Sequence, residues 1–279
     1  APQHGLATIE TDELDLGAAM VSADLIEDEG LDAGNLVASG AIAFVDPDAS
    51  DRVSVTRAFV STNVTTQRPG KTTAVSPALQ IALENLASAF VLSDDGVGSA
   101  VNAGSVTWDF TLDNALVQYL AAGEVVTVVY RVTFRDDSGV GAGGALHEPD
   151  SVTQDVTITI AGVNDRPTIA AEAGDTTDPA PIVEADAGTA IGATGTLSVR
   201  DVDVTDVVTV AIDAVAVSQR TAVGPMTIAP GNAILDAALR SWLTFAPTPV
   251  LTAGQVGTAN DLTWTFSADS GPFDYLNCG

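Results

Sequence analysis

Ser105-Val106-Thr107-Trp108-Asp109-Phe110-Thr111-Leu112 alternates polar and apolar residues without a break. A period of two places Val106, Trp108, Phe110 and Leu112 on one face of an extended chain, the mark of a half-buried strand. What surrounds this stretch decides the architecture. Trp108, Phe110, Asp113, Tyr119, Leu120 and Gly123 return, in the same order and spacing, as Trp264, Phe266, Asp269, Tyr275, Leu276 and Gly279. Upstream, the run Gly40-Ala-Ile-Ala-Phe-Val-Asp-Pro-Asp-Ala-Ser-Asp51 returns as Gly195-Thr-Leu-Ser-Val-Arg-Asp-Val-Asp-Val-Thr-Asp206, with its three aspartates in register. A chain built from copies of one unit is usually an array whose task is reach, stiffness or multivalent binding.

The first copy continues beyond Gly123 through two more alternating segments. One carries Val126, Val128, Tyr130, Val132 and Phe134; the other carries Val152, Val156, Ile158 and Ile160. The second copy stops before any such segment. The expected organisation is an acidic leader over residues 1–23 with no counterpart in the second copy, a first repeat over 24–167, and a second repeat over 168–279 lacking its last strands. Such a chain is expected to be a piece of a longer array, its open edges filled by the leader or by another segment.

Further strands are expected at Leu197 and Val199, at Val208, Val210 and Ile212, and at Leu262, Trp264 and Phe266. Short helical turns are expected at Ala78 to Val91 and at Ile234 to Phe245, where leucines fall at helical spacing. Roughly seven short strands per unit, with Gly- and Pro-rich turns, argue for an all-β chain of tandem Greek-key β-sandwiches, immunoglobulin- or cadherin-like, with short helical inserts and a truncated second copy.

Composition narrows the partners. Ten Lys and Arg against 37 Asp and Glu give a net charge of −27. Nucleic acid and anionic membrane are excluded, because the chain cannot neutralise phosphate or be drawn to acidic lipid. Cations are the natural counterpart. No apolar run long enough to span a bilayer is present, so no membrane insertion is expected, and Ala1 to Gly5 lack the basic start of a signal peptide. The single Cys278 allows no intramolecular disulfide.

Asp46, Asp48 and Asp51 recur as Asp201, Asp203 and Asp206, and Glu29 recurs as Glu184; beside them stand the pairs Asp136 and Asp137, and Asn164 and Asp165. Calcium takes six to eight oxygens, so it wants several carboxylates converging from loops, and Asp-x-Asp points two the same way. The competing reading is that aspartates in turns accept hydrogen bonds from their own backbone. The spacing does not fit a helix-flanked EF-hand loop.

The run Trp108 through Gly123 with Asn114, Leu116, Gln118, Ala121 and Ala122, then Asp136-Asp137-Ser138-Gly139, then Ile160-Ala-Gly-Val-Asn-Asp-Arg-Pro167, resembles the VCBS repeat of giant bacterial surface proteins. The second copy resembles it through Gly195 to Leu197, Asp201 to Asp203, Trp264 and Phe273 to Leu276, departing at Asn277 and Cys278. That family is grouped with bacterial cadherin-like domains of RTX-type adhesins exported by type I secretion. The resemblance implies an extracellular module at the bacterial cell surface, acting in cell adhesion or biofilm formation, with Ca2+ stiffening the junctions between neighbouring repeats. It implies metal ligands at Asn164 and Asp165, approached by Glu29 and Asp136 from one repeat and by Asp201 and Asp203 from the next. A host surface or matrix polysaccharide would be the distant partner. The alternative is a calcium-dependent, lectin-like polysaccharide-binding module. Trp108 and Trp264 lie on apolar strand faces and are expected in the core, leaving Trp242 as the one open stacking platform.

Catalysis is not expected. His4 and His147 sit in no metal-binding or nucleophile-activating context, Cys278 has no histidine partner nearby in sequence, and Gly139 to Gly144 lack the lysine and helix of a phosphate loop.

Overall fold

The structure is a computed structural model that describes residues 15–46, 52–93, 103–135, 151–177, 181–183, 188–215, 219–221, 224–226, 236–255 and 260–273. The chain divides into two compact units, Ala1–Asn164 and Asp165–Gly279. Both are built mainly of strands, and the fold is an all-β sandwich.

In the first unit the strands are β1 (Asp15–Ala19), β2 (Ser22–Ile26), β3 (Asn35–Val45), β4 (Ser54–Thr66), β5 (Phe90–Leu92), β6 (Ala103–Asp113), β7 (Glu124–Arg135) and β8 (Ser151–Ala161). They form two four-stranded sheets, β1-β3-β6-β5 and β2-β8-β7-β4. All pairings are antiparallel except β2 with β8, which is parallel. The alternation expected along residues 105–112 is realised: Val106, Trp108, Phe110 and Leu112 are at most 3% exposed. They face Val126, Val128, Tyr130, Val132, Phe134, Val156, Ile158 and Ile160, all fully buried, in one core. Aromatic rings fill its middle. Phe90 stacks on Tyr130 at 4.4 Å between centroids, and Phe44 lies 5.5 Å from Phe134.

The leader ends earlier than the sequence suggested. Residues 15–19 pair with β3, and residues 22–26 pair with β8, so this segment closes one edge of each sheet in turn. Its counterpart in the second unit is β9 (Thr168–Ala170). Ile169 pairs with Val199 as Leu16 pairs with Phe44, although the two segments share almost no residues.

The helical turn expected after Ala78 is α1 (Pro77–Glu84), shorter than expected. Ser76 caps it, its Oγ accepting from the Leu79 amide at 3.2 Å, and Pro77 opens it where a missing amide proton costs nothing. Leu79 and Leu83 turn inward. Phe90 leaves the helical pattern because it pairs with Phe110 in the sheet.

The second unit repeats half of this plan. Its sheet β13-β14-β10-β9 comprises β9, β10 (Ala190–Arg200), β13 (Leu243–Ala246) and β14 (Asn260–Asp269), in the order of β5-β6-β3-β1. A short ribbon pairs β11 (Gln219–Thr221) with β12 (Gly224–Met226), and α2 (Asp236–Trp242) precedes β13 as α1 precedes β5. The strand expected at Val208 to Ile212 does not form; Val208 makes only an isolated bridge to Leu251. The equivalent strand β4 is held by β7, and the described residues of the second unit include no β7 counterpart to hold it. No helix among the described residues is long and apolar enough to cross a membrane.

Candidate functional site

β10 ends at Arg200, and the chain then enters the Asp201-Val202-Asp203-Val204-Thr205-Asp206 turn. The first aspartate organises it locally. The Asp203 amide donates to Asp201 Oδ1 at 3.1 Å, and the Asp206 amide donates to the Asp203 carbonyl at 3.0 Å. Asp165, the first residue of the second unit, is tied to the same turn by its amide, which donates to Asp203 Oδ2 at 2.9 Å. Gly254 anchors the far side through the Val204 carbonyl at 2.7 Å.

These carboxylates are not on a solvated surface. Asp201 is 7% exposed and Asp203 is 4% exposed. Asp203 Oδ1 is buried and accepts no hydrogen bond. Burial raises the Asp203 pKa to about 7, against the Asp165 amide that favours the ionised form, with further upward pressure from the negative charges of Asp206, Asp165 and Asp201. Burial also raises Asp201. A carboxylate buried without a full set of donors is costly, and a hard cation is the species that offsets such a cost.

The fit to a cation is partial. The donor chemistry suits calcium, and Asp203 carries an oxygen with nothing to accept. Yet among the described residues no group of three or more His, Cys, Asp or Glu side chains is arranged to hold a metal ion.

In the first unit Asp46 is 2% exposed, whereas Asp48 lies outside the described residues, as do Asp136 and Glu184. Glu29 and Asn164 are exposed. Two other acidic residues of the first unit, Glu27 and Asp28, form a hydrogen-bonded network. Glu27 is fully buried and accepts from Gln118 Nε2 at 2.9 Å and from the Val163 amide at 3.0 Å. Asp28, with a left-handed φ of 62°, accepts from Gln118 Nε2 at 2.8 Å and also from Asn114 Nδ2. This network joins the end of β2 to the turn after β6 and to the residues after β8. Sequence reasoning passed over it. The available signal was Asn114 and Gln118, four residues apart in a region otherwise apolar, opposite a paired Glu27-Asp28.

Glu124, also fully buried, accepts from Thr73 Oγ1 and from the Ala121 amide at 3.2 Å, fixing the turn before β7. Trp108 is fully buried and its Nε1 donates to the Met20 carbonyl at 2.8 Å, as expected of a core tryptophan. Trp242 is half-buried and packs against Phe266 at 6.3 Å, edge to face, and against Phe273 at 5.7 Å.

No family model matches this chain, and no curated protein matches it. In structure it is similar to AggA, the major subunit of aggregative adherence fimbriae type I from Escherichia coli, at 7% identity and a TM-score of 0.29, over 55% of this chain and 97% of that one. A likeness of this size carries no argument about function.

Proposed function

We propose that this chain is a non-catalytic, extracellular repeat module of a bacterial surface adhesin of the VCBS and cadherin-like kind, in which Ca2+ stiffens the array. The observation that carries the reading is the buried acidic turn at Asp201, Asp203 and Asp206, joined to Asp165 at the start of the second unit. The internal repeat supports the spacer role, since a chain made of copies of one sandwich gains length rather than a cleft. The net charge of −27 supports a cation as the ligand.

The physical role of calcium would be linkage. It would neutralise carboxylates that otherwise repel one another and would favour the state in which Asp165 is docked on the turn. Type I secretion and neighbouring repeats as partners follow from the family resemblance.

The test is calorimetric titration of the full chain with calcium, paired with thermal melts in calcium and in chelator. Saturable binding that is lost in Asp201→Asn and Asp203→Asn, with a higher melting temperature in calcium, is the expected result. No heat of binding and identical melts in both conditions would sink the reading, leaving the acidic turn as local backbone chemistry.

A further inference from the structure

Every outer strand of the three four-stranded sheets is short except one. β1, β2, β5, β9 and β13 run for three to five residues, whereas β4 runs for 13, from Ser54 to Thr66. β4 pairs with β7 on one side, and among the described residues no strand pairs with its other side. A strand so placed presents a row of backbone N–H and C=O groups to whatever comes alongside. Its lip is apolar. Phe59 and Val64 are only partly buried against the core, and Val60, the extra residue where the register shifts between Phe59 and Ser61, is 42% exposed.

The charge along this edge is opposite to that of the chain. Residues 52–83 contain no Asp or Glu, and no other acid-free run in the sequence is as long. They hold Arg52, Arg57, Arg68 and Lys71, four of the ten basic residues in a protein of net charge −27. These follow the edge: Arg52 stands before β4, Arg57 within it, and Arg68 and Lys71 in the turn after it. That turn is fixed, the Gln67 amide donating to the Gly123 carbonyl at 2.9 Å and the Lys71 amide to the Arg68 carbonyl at 3.1 Å. Basic residues on an edge strand discourage pairing with an identical copy, because like charges meet. The same residues favour an incoming strand that carries carboxylates.

We infer that the open edge of β4 is a docking site for an extended acidic polypeptide segment, which joins the β2-β8-β7-β4 sheet as a fifth strand. Main-chain hydrogen bonds along the edge supply affinity, and the basic residues beside it select carboxylates. At about 3.3 Å per residue the edge is about 40 Å long, room for a partner strand of about ten residues. An anionic polysaccharide could answer the charge but could not pair with the row of backbone groups, so the edge favours a peptide. The site belongs to the first unit and is independent of any cation at the Asp201–Asp206 turn of the second.

The experiment titrates the full chain, in chelator, into a fluorescein-labelled peptide of sequence EETVTVTVEE, read by anisotropy, and maps the bound peptide by hydrogen exchange. Expected are saturable binding, slower exchange in residues 54–66, and binding about fivefold weaker to Lys71→Glu. Two control peptides separate backbone from charge. One is N-methylated at alternate residues, which keeps the carboxylates and removes main-chain donors; the other, KKTVTVTVKK, keeps the backbone and reverses the charge. Each should bind more weakly by about tenfold or more. The inference is overturned if EETVTVTVEE shows no saturable binding, if either control binds equally well, or if the protection falls outside residues 54–66. It is also overturned if polygalacturonate protects residues 54–66 as well as the peptide does, since strand pairing would then play no part.

Discussion

Gly40 lies directly across from Trp108 in the β3–β6 pair, and the indole rests on the bare backbone. A Cβ at position 40 would come within 2.5 Å of Trp108 Cζ2. The ring is fully buried and its Nε1 is held by the Met20 carbonyl, so it has no room to retreat. Gly195 and Trp264 repeat the arrangement, with the Thr176 carbonyl oxygen only 2.0 Å from the missing Cβ. The expected outcome is that Gly40→Ala destabilises the first unit by about 1–3 kcal/mol through overpacking. Gly195→Ala should cost the second unit at least as much, because a backbone carbonyl cannot swing away as a side chain can. Urea denaturation read separately for each unit checks both, and unchanged midpoints would contradict this packing.

This pair also explains how much of the fold was legible. The repeat is read from residues such as Gly40, Trp108, Asp46 and their copies because packing fixes both the residue type and its spacing. β1 and β9 escaped, since each holds its place through backbone pairing to β3 or β10, and backbone hydrogen bonds do not specify side chains. The strand expected at Val208 to Ile212 failed because alternation states which face is apolar and says nothing about whether a neighbouring strand is there to pair. Of the acidic residues, Asp201 and Asp203 stand out in the sequence because they recur, while Glu27 does not, because its role depends on Gln118 and Val163, distant in sequence and adjacent only in the fold.

Glu27→Ala should be among the most damaging substitutions in the first unit. It removes the acceptor for the Gln118 side chain and for the Val163 amide at a fully buried position. Leaving buried donors unsatisfied costs about 1–3 kcal/mol, and more where the lost partner is charged. Hydrogen exchange at the Val163 amide should rise in the variant. Protection equal to wild type at that amide would show that the network does not hold the end of the unit.

Arg131→Ala should do little by comparison. Arg131 Nε lies 2.7 Å from Asp155 Oδ1, and the pair is bidentate, but both side chains are more than 40% exposed. The hydrogen bond from Arg131 lowers the Asp155 pKa, an effect that solvent and salt screen. Exposed pairs contribute about 0–1 kcal/mol. A thermal melt that moves by no more than the width of experimental repeats is the expected result, and a loss comparable to that of Glu27→Ala would mean the outer face of β7–β8 matters more than its exposure indicates.

Asp203 should make the second unit less stable as pH rises, with calcium reversing the trend. Folded, its pKa stands at about 7, against about 3.9 for an unfolded aspartate. Between those values the folded chain holds a proton that the unfolded chain has lost, so stability is full below about pH 4 and declines as pH climbs through about 7. Glu172 and Asp175 run the other way, lowered by the hydrogen bond from Arg200 and from the Glu172 amide respectively, so their effect falls below the ordinary carboxylate range. In chelator, therefore, the melting temperature of the second unit should fall from pH 5 to pH 8. Asp203→Asn keeps an oxygen to accept from the Asp165 amide and carries no charge, so in chelator it should flatten this slope and exceed wild type at pH 8. In calcium the ranking should invert, because a bound cation stabilises the ionised carboxylate and the variant has none to offer. A variant that is less stable than wild type at pH 8 in chelator would mean that the charge of Asp203 is already compensated within the protein, and the case for a cation at this turn would fall with it.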